Sequence, residues 1–190
     1  MKLLFTTMAT LVLGIVQPSA SAAEINNRCN DYDVFVLRHL QKQDDGTKDP
    51  SLNEVGQQQA QQLSTMKALS TVNHGFYTPY KRTYETLQYV DVEKSIYDPT
   101  KPEELIQRIK DKHCGETVVV VGHSNTVPSI ITALGGSFGV TYAGKPLKKE
   151  PTVYLSEQDY GSIFRVTYHN ERIHQQLYHL MPAKGKVQKN

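Results

Sequence analysis

Apolar positions along the chain follow two rhythms, one of strands and one of helices. Asp33-Val34-Phe35-Val36-Leu37-Arg38-His39 is a short β-branched and aromatic run that ends abruptly in a cation and an imidazole. It reads as a buried parallel strand delivering two polar side chains at its C-terminal end. Thr117-Val118-Val119-Val120-Val121-Gly122-His123-Ser124 repeats that design, and residues 72–78 form a further strand broken by Pro79. Between them the period changes. Ser51 with Glu54 three residues on suggests a capping box, and Val55, Ala60, Leu63, Met66 and Leu69 continue at helical spacing. Helical spacing returns through Tyr84, Leu87 and Val90, again from Glu103 towards Lys112, and again through Val127, Ile130, Ile131 and Leu134 until Gly135-Gly136. A short strand precedes Asp98. The end of the chain is strand-rich, at residues 152–155 and 162–168, with Asn170-Glu171 as a turn into residues 172–180.

Strands alternating with helices predict an α/β fold, a three-layer sandwich with a mostly parallel central sheet and helices on both faces. No repeat or low-complexity segment interrupts it, so a single domain is expected over residues 24–183, with a flexible tail at 184–190. Residues 1–23 are set apart: Lys2, an apolar stretch from Leu3 to Val16 and small residues at Ala20-Ser21-Ala22-Ala23 make a secretory signal peptide. The mature chain is expected to be periplasmic or secreted, with no stable membrane insertion after cleavage.

Charge narrows the partners. The net charge of +2 falls to +1 once Lys2 is removed, which argues against a broad nucleic-acid surface. Nothing in the sequence points to a particular oligomeric state. Cys29 lies ten residues before His39 and Cys114 nine before His123. If the two strands are parallel neighbours, both cysteines meet at the opposite end of the sheet, where a disulfide suits an exported chain. Neither cysteine has a partner at metal-ligand spacing, and the other histidines (His74, His113, His169, His174, His179) read as surface residues, so no metal site is expected.

The chemistry gathers at strand ends. Arg38 and His39 end one strand, Tyr77-Thr78-Pro79-Tyr80-Lys81-Arg82 another, and Gly122-His123-Ser124-Asn125 a third. Two arginines and two histidines on one rim suit a tetrahedral oxyanion, because a guanidinium donates paired hydrogen bonds and keeps its charge. Beside that clamp a neutral imidazole can attack phosphorus. Two other motifs fail. Gly139 to Pro146 half-matches a phosphate-binding loop, but Pro146 stands where a hydroxyl should bind magnesium. Gly122-His123-Ser124-Asn125-Thr126 imitates a nucleophile elbow with Ser124 attacking, but Thr126 replaces the second glycine and Arg38-His39 goes unexplained.

Leu37-Arg38-His39, Leu52-Asn53-Glu54-Val55-Gly56-Gln57-Gln58-Gln59-Ala60, Thr78-Pro79-Tyr80-Lys81-Arg82-Thr83-Tyr84-Glu85-Thr86 and Val121-Gly122-His123-Ser124 together resemble the histidine phosphatase superfamily, in its phosphoglycerate-mutase-like branch. The resemblance runs from about Asp33 to Tyr168 and takes in Asp159-Tyr160-Gly161-Ser162-Ile163-Phe164. It implies phosphorylation at His39, with Arg38, Arg82 and His123 binding the phosphoryl group and no metal, nucleotide or other cofactor required. It also implies a carboxylate acid/base, and here the chain departs from the pattern: the usual Leu-x-Glu followed by glycine is missing, Leu40 stands where glycine or alanine is usual, and Thr78 replaces a common serine. Asp98 is the leading candidate for the carboxylate, with Glu93 and Glu103 as rivals. Lys42, Ser124 and Asn125 are candidates for contacting a small phosphoester substrate. The expectation is an exported, metal-independent phosphomonoesterase. The alternatives are a phosphate- or phosphosugar-binding protein on the same scaffold and a serine hydrolase using Ser124.

Overall fold

The computed structural model describes residues 29, 31–138, 141–142, 145–146 and 153–180. Residues 1–23, expected to be a signal peptide, the 184–190 segment expected to be a tail, and most of the Gly139–Pro146 motif lie outside them. Strand β1 (Asp31–Arg38) is followed by α1 (Glu54–Ser64), β2 (Val72–Tyr77), α2 (Lys81–Thr86), β3 (Glu93–Ile96), α3 (Pro102–Lys112), β4 (Thr117–Gly122) and α4 (Thr126–Ala133). Two-residue strands β5 (Thr141–Tyr142) and β6 (Lys145–Pro146) pair with each other, and a hairpin of β7 (Ser162–His169) and β8 (Arg172–His179) closes the order.

Six strands form one sheet in the order β3-β2-β4-β1-β7-β8. The pairs β3–β2, β2–β4 and β4–β1 are parallel, whereas β7 runs antiparallel to β1 and β8 antiparallel to β7. Period-two alternation on β1 explains the layers. Val34 and Val36 point into one core with Leu105, Ile106 and Ile109 of α3 and Val127, Ile130 and Ile131 of α4. Phe35 and Leu37 point into the other, against Ala60 and Leu63 of α1 and Leu87 just beyond α2. A stretch buried on both faces must be apolar at every position, which is the pattern that residues 34–37 of β1 and 118–121 of β4 carry.

Arg38 pairs with Gly122 in the β1–β4 register, so the ends of the two strands are level. The same register brings their starts together, and Cys29 and Cys114 form a disulfide with Cα atoms 5.4 Å apart. The bridge and the histidine-bearing rim are at opposite ends of the sheet, as the matched spacings require.

Several local expectations are corrected. Asn53, not Ser51, caps α1: its side chain accepts from the Gly56 N–H at 2.9 Å. Helix 55–69 breaks after Ser64 and resumes as a single 3-10 turn at Lys67–Leu69. Residues 153–155 are not a strand; the Leu155 N–H donates instead to the Ser124 carbonyl at 2.9 Å, tying that loop to the β4–α4 turn. His74 is buried rather than superficial, its ring 4.5 Å from that of His113 and its Nε2 3.0 Å from Ser95 Oγ.

Candidate active site

The C-terminal ends of β1, β2 and β4 open into a cleft of about 400 Å³. Arg38, His39, Arg82 and His123 line it, and so do Lys42, Ser124 and Asn125. The side chains expected to contact phosphate therefore share one cleft. Strand polarity is the cause: parallel neighbours end together, and the loops that follow them frame a crevice.

Both imidazoles are held in place. The His39 N–H donates to the Gly122 carbonyl at 2.9 Å, so the residue continues the β1–β4 ladder. Its Nδ1 lies 2.9 Å from the Leu40 carbonyl oxygen. A carbonyl only accepts, so Nδ1 carries the proton and Nε2 keeps the lone pair. Burial, reinforced by the charges of Arg38, Arg82 and His123 and only partly offset by the Leu40 hydrogen bond, lowers the His39 pKa to about 3. His123 Nε2 is 3.0 Å from Thr78 Oγ1, and its backbone N–H donates to Thr126 Oγ1 at 2.8 Å. Burial and then the Arg82 and Arg38 charges lower its pKa to about 4. The rings sit edge to face with centroids 5.5 Å apart. Above pH 5 both are neutral.

The turn carrying His123 tolerates little change. A side chain at Gly122 would put Cβ 2.5 Å from Thr126 Oγ1 and 3.0 Å from Tyr97 Oη. Tyr97 is buried beneath this turn, and its hydroxyl donates to the Val121 carbonyl at 3.2 Å.

Aromatic rings steer the guanidiniums. Arg38 lies 4.4 Å from the Tyr160 ring centroid and Arg82 4.5 Å from that of Tyr80. Arg38 donates from Nη1 to the Ser156 carbonyl and from Nη2 to Glu157 Oε2, each at 2.8 Å. Arg82 Nη1 is 3.6 Å from Asp49 Oδ1, beyond a hydrogen bond. Among the described residues, three buried donors have no hydrogen-bond partner: Arg38 Nε, Arg82 Nε and Arg82 Nη1. Buried N–H groups on cations are costly to leave unpaired, and a tetrahedral oxyanion supplies the acceptors that they lack.

A family model for the histidine phosphatase superfamily (branch 1) matches residues 34–105, which hold Arg38, His39 and Arg82. Over those 72 of its 190 residues the chain is similar to that superfamily. Its fold is that of solved phosphatases. A variant of phosphoserine phosphatase from Entamoeba histolytica, in complex with phosphoserine, superposes with a TM-score of 0.56 at 14% identity, over 76% of this chain and 94% of that one. The alpha-ribazole phosphatase from Shigella flexneri gives 0.54 at 12% identity, over 81% and 98%. The protein histidine phosphatase SixA complexed with tungstate gives 0.52 at 17%, over 79% and 97%. No curated protein matches the chain in sequence.

Against the superfamily pattern, the carboxylate stands elsewhere than expected. Asp98 Oδ1 accepts from both the N–H and the hydroxyl of Thr100, at 2.9 and 2.7 Å, and this local turn lowers its pKa. Asp98 is exposed and does not line the cleft, although its neighbours Pro99 and Thr100 do. Glu93 and Glu103 are also exposed and away from it. Among the described residues the carboxylate that lines the cleft is Glu157, which no sequence motif marks; Asp159-Tyr160-Gly161 two residues later is the nearest signal. Ser124 does not form a catalytic pair. Its hydroxyl donates to Glu157 Oε1 at 3.3 Å, while the neighbouring imidazole of His123 is engaged by Thr78. Among the described residues, no cluster of three histidine, cysteine, aspartate or glutamate side chains suits a metal ion, and no helix is long and apolar enough to cross a membrane.

Proposed function

We propose that this protein is an exported phosphomonoesterase that works through a phosphohistidine at His39. Nε2 of His39 attacks phosphorus, the ester oxygen leaves, and water then releases phosphate from the imidazole. Arg38, Arg82 and His123 hold the equatorial oxygens, where negative charge accumulates as the phosphoryl group passes. Lys42, Ser124 and Asn125 at the mouth contact the alcohol portion of a small phosphoester. No metal or cofactor enters this scheme.

The observation that carries the reading is the trio of buried, unpaired guanidinium N–H groups beside an imidazole whose Nε2 lone pair is free. Neutrality supports it further, since an imidazole with a pKa of about 3 is nucleophilic at any physiological pH. Tungstate, found with the SixA fold relative, is itself a tetrahedral oxyanion. Export is supported by the apolar leader and by the Cys29–Cys114 disulfide, which persists in oxidising compartments.

The test is hydrolysis of an aryl phosphate by the mature protein in chelator, beside His39→Ala and Arg82→Ala. Wild-type turnover is expected to survive chelation, to vanish in His39→Ala and to fall about 100- to 1,000-fold in Arg82→Ala. Turnover that persists without His39 would overturn the reading. A second reading, a phosphate-binding protein, is favoured by the position of Asp98 outside the cleft. It predicts vanadate binding without turnover in wild type.

A further inference from the structure

We propose that Glu157 is the group that protonates the leaving oxygen and later takes a proton from the attacking water, entering these roles once the substrate's phosphoryl group displaces it from Arg38. The inference rests on the phosphohistidine reading above.

Among the described residues, Glu157 is the carboxylate that lines the cleft. Asp98 is spent on Thr100, and Asp49 accepts from the Lys81 N–H at 2.9 Å, facing Arg82 from outside the cleft lining. Glu157 belongs to a loop anchored on both sides. Leu155 is bonded to Ser124, and Asp159 Oδ1 accepts from the Ser162 N–H at 3.1 Å. Between these anchors the Glu157 side chain is 78% exposed, so solvent rather than packed atoms surrounds most of it.

Its resting contact sets up an exchange. The Glu157 carboxylate occupies Nη2 of Arg38, an N–H that a tetrahedral dianion would also claim, while Nε of the same guanidinium has no partner. In the resting cleft the hydrogen bond from Arg38 and its charge lower the Glu157 pKa, and the group is ionised. A bound phosphoryl group takes over the guanidinium and places negative charge beside the carboxylate. Both changes favour its protonated form. Ser124 Oγ, 3.3 Å from Oε1, is positioned to keep the displaced carboxyl at the mouth, on the side where the alcohol leaves.

The chemistry balances. The lone pair of His39 Nε2 forms the N–P bond as the P–O ester bond breaks, and the Glu157 carboxyl proton goes to the departing oxygen to give the alcohol. Water then attacks phosphorus while Glu157 takes its proton. The N–P electron pair returns to Nε2, and phosphate leaves with Glu157 protonated as it was in the substrate complex.

The test compares Glu157→Gln with Asp98→Asn on two esters, a dinitrophenyl phosphate, whose leaving group needs no proton, and a simple alkyl phosphate. For Glu157→Gln, kcat/KM, which covers the steps through phosphorylation of His39, is expected to fall about 100-fold or more on the alkyl ester and by less than about tenfold on the aryl ester. Vanadate should bind Glu157→Gln at least as tightly as wild type, because the competing carboxylate is gone. Equal effects on the two esters, or a change in KM alone, would overturn the assignment, and so would a selective alkyl loss in Asp98→Asn instead. His39→Ala separates the two levels. Full aryl turnover without His39 defeats the phosphohistidine reading and this inference together, whereas a dead His39→Ala with an ester-blind Glu157→Gln defeats this inference alone.

Discussion

The two neutral imidazoles predict how stability depends on pH. His39 is 3% exposed, with a pKa of about 3, against about 6.5 for a histidine in the unfolded chain. Between those values the unfolded state binds a proton that the folded state refuses, so stability falls as the pH is lowered. The penalty is absent above about pH 7.5, reaches about 2 kcal/mol at pH 5 and saturates near 5 kcal/mol below pH 3. Carboxylates stabilised by ion pairs are lost over part of the same range, so wild type alone does not isolate the histidine. His39→Gln does, because glutamine has no proton to refuse. Urea unfolding of both proteins should show the variant gaining about 2 kcal/mol on wild type between pH 7.5 and pH 5. Parallel curves, within about 0.5 kcal/mol, would refute the neutral, buried His39 and with it the electrostatics of the cleft.

Three further outcomes are expected. The Cys29–Cys114 bridge closes a separation of 85 residues, so chain entropy gives it about 4.6 kcal/mol; reduction or Cys114→Ser should lower the melting temperature by roughly 10–20 °C in calorimetry, and an unchanged melt would exclude the bridge. Gly122→Ala drives Cβ against Thr126 Oγ1 and Tyr97 Oη, and should cost about 1–3 kcal/mol in denaturant unfolding while displacing His123 and depressing turnover. Thr78→Val removes the partner of His123 Nε2 and should cost about 1–3 kcal/mol, with a fall in kcat/KM on any ester; unaffected kinetics would show that His123 needs no such support.

What the sequence made legible is what a short-range pattern encodes. An apolar run ending in Arg38-His39 is a strand with an abrupt polar end, and its repetition at Val121-Gly122-His123 places two such ends side by side once the strands are parallel. Matched offsets from Cys29 and Cys114 to those histidines likewise turn a register into a disulfide. The strand-rich end became the β7–β8 hairpin, turning at Asn170 and Glu171, both with positive φ. Less legible was which polar side chain is already satisfied. Asp98 was picked for its place in the chain, but the Thr two residues on closes a local turn that takes its carboxylate away from the cleft. Glu157 reaches Arg38 across 119 residues, through a loop whose position depends on a backbone contact with Ser124. No periodicity marks such a contact. The burial of His74 is hidden for a similar reason, since its ring lies against that of His113, far along the chain, as well as that of Phe76. The choice between Ser51 and Asn53 as the α1 cap was a local one, decided by where the chain stops pairing: Asn53 N–H still donates to the Gln41 carbonyl at 3.0 Å, which sets the helix start just after it.

The central claim is a covalent phosphoryl group on His39, and trapping it is the most direct test. Mature wild type mixed with an aryl phosphate is quenched in base, where phosphohistidine survives, and its peptides are mapped by mass. The account predicts one phosphoryl mass added, on the peptide containing His39, absent from His39→Ala and discharged when the quench is delayed past substrate exhaustion. Phosphate on Ser124, on His123, or on no residue during steady turnover would contradict it.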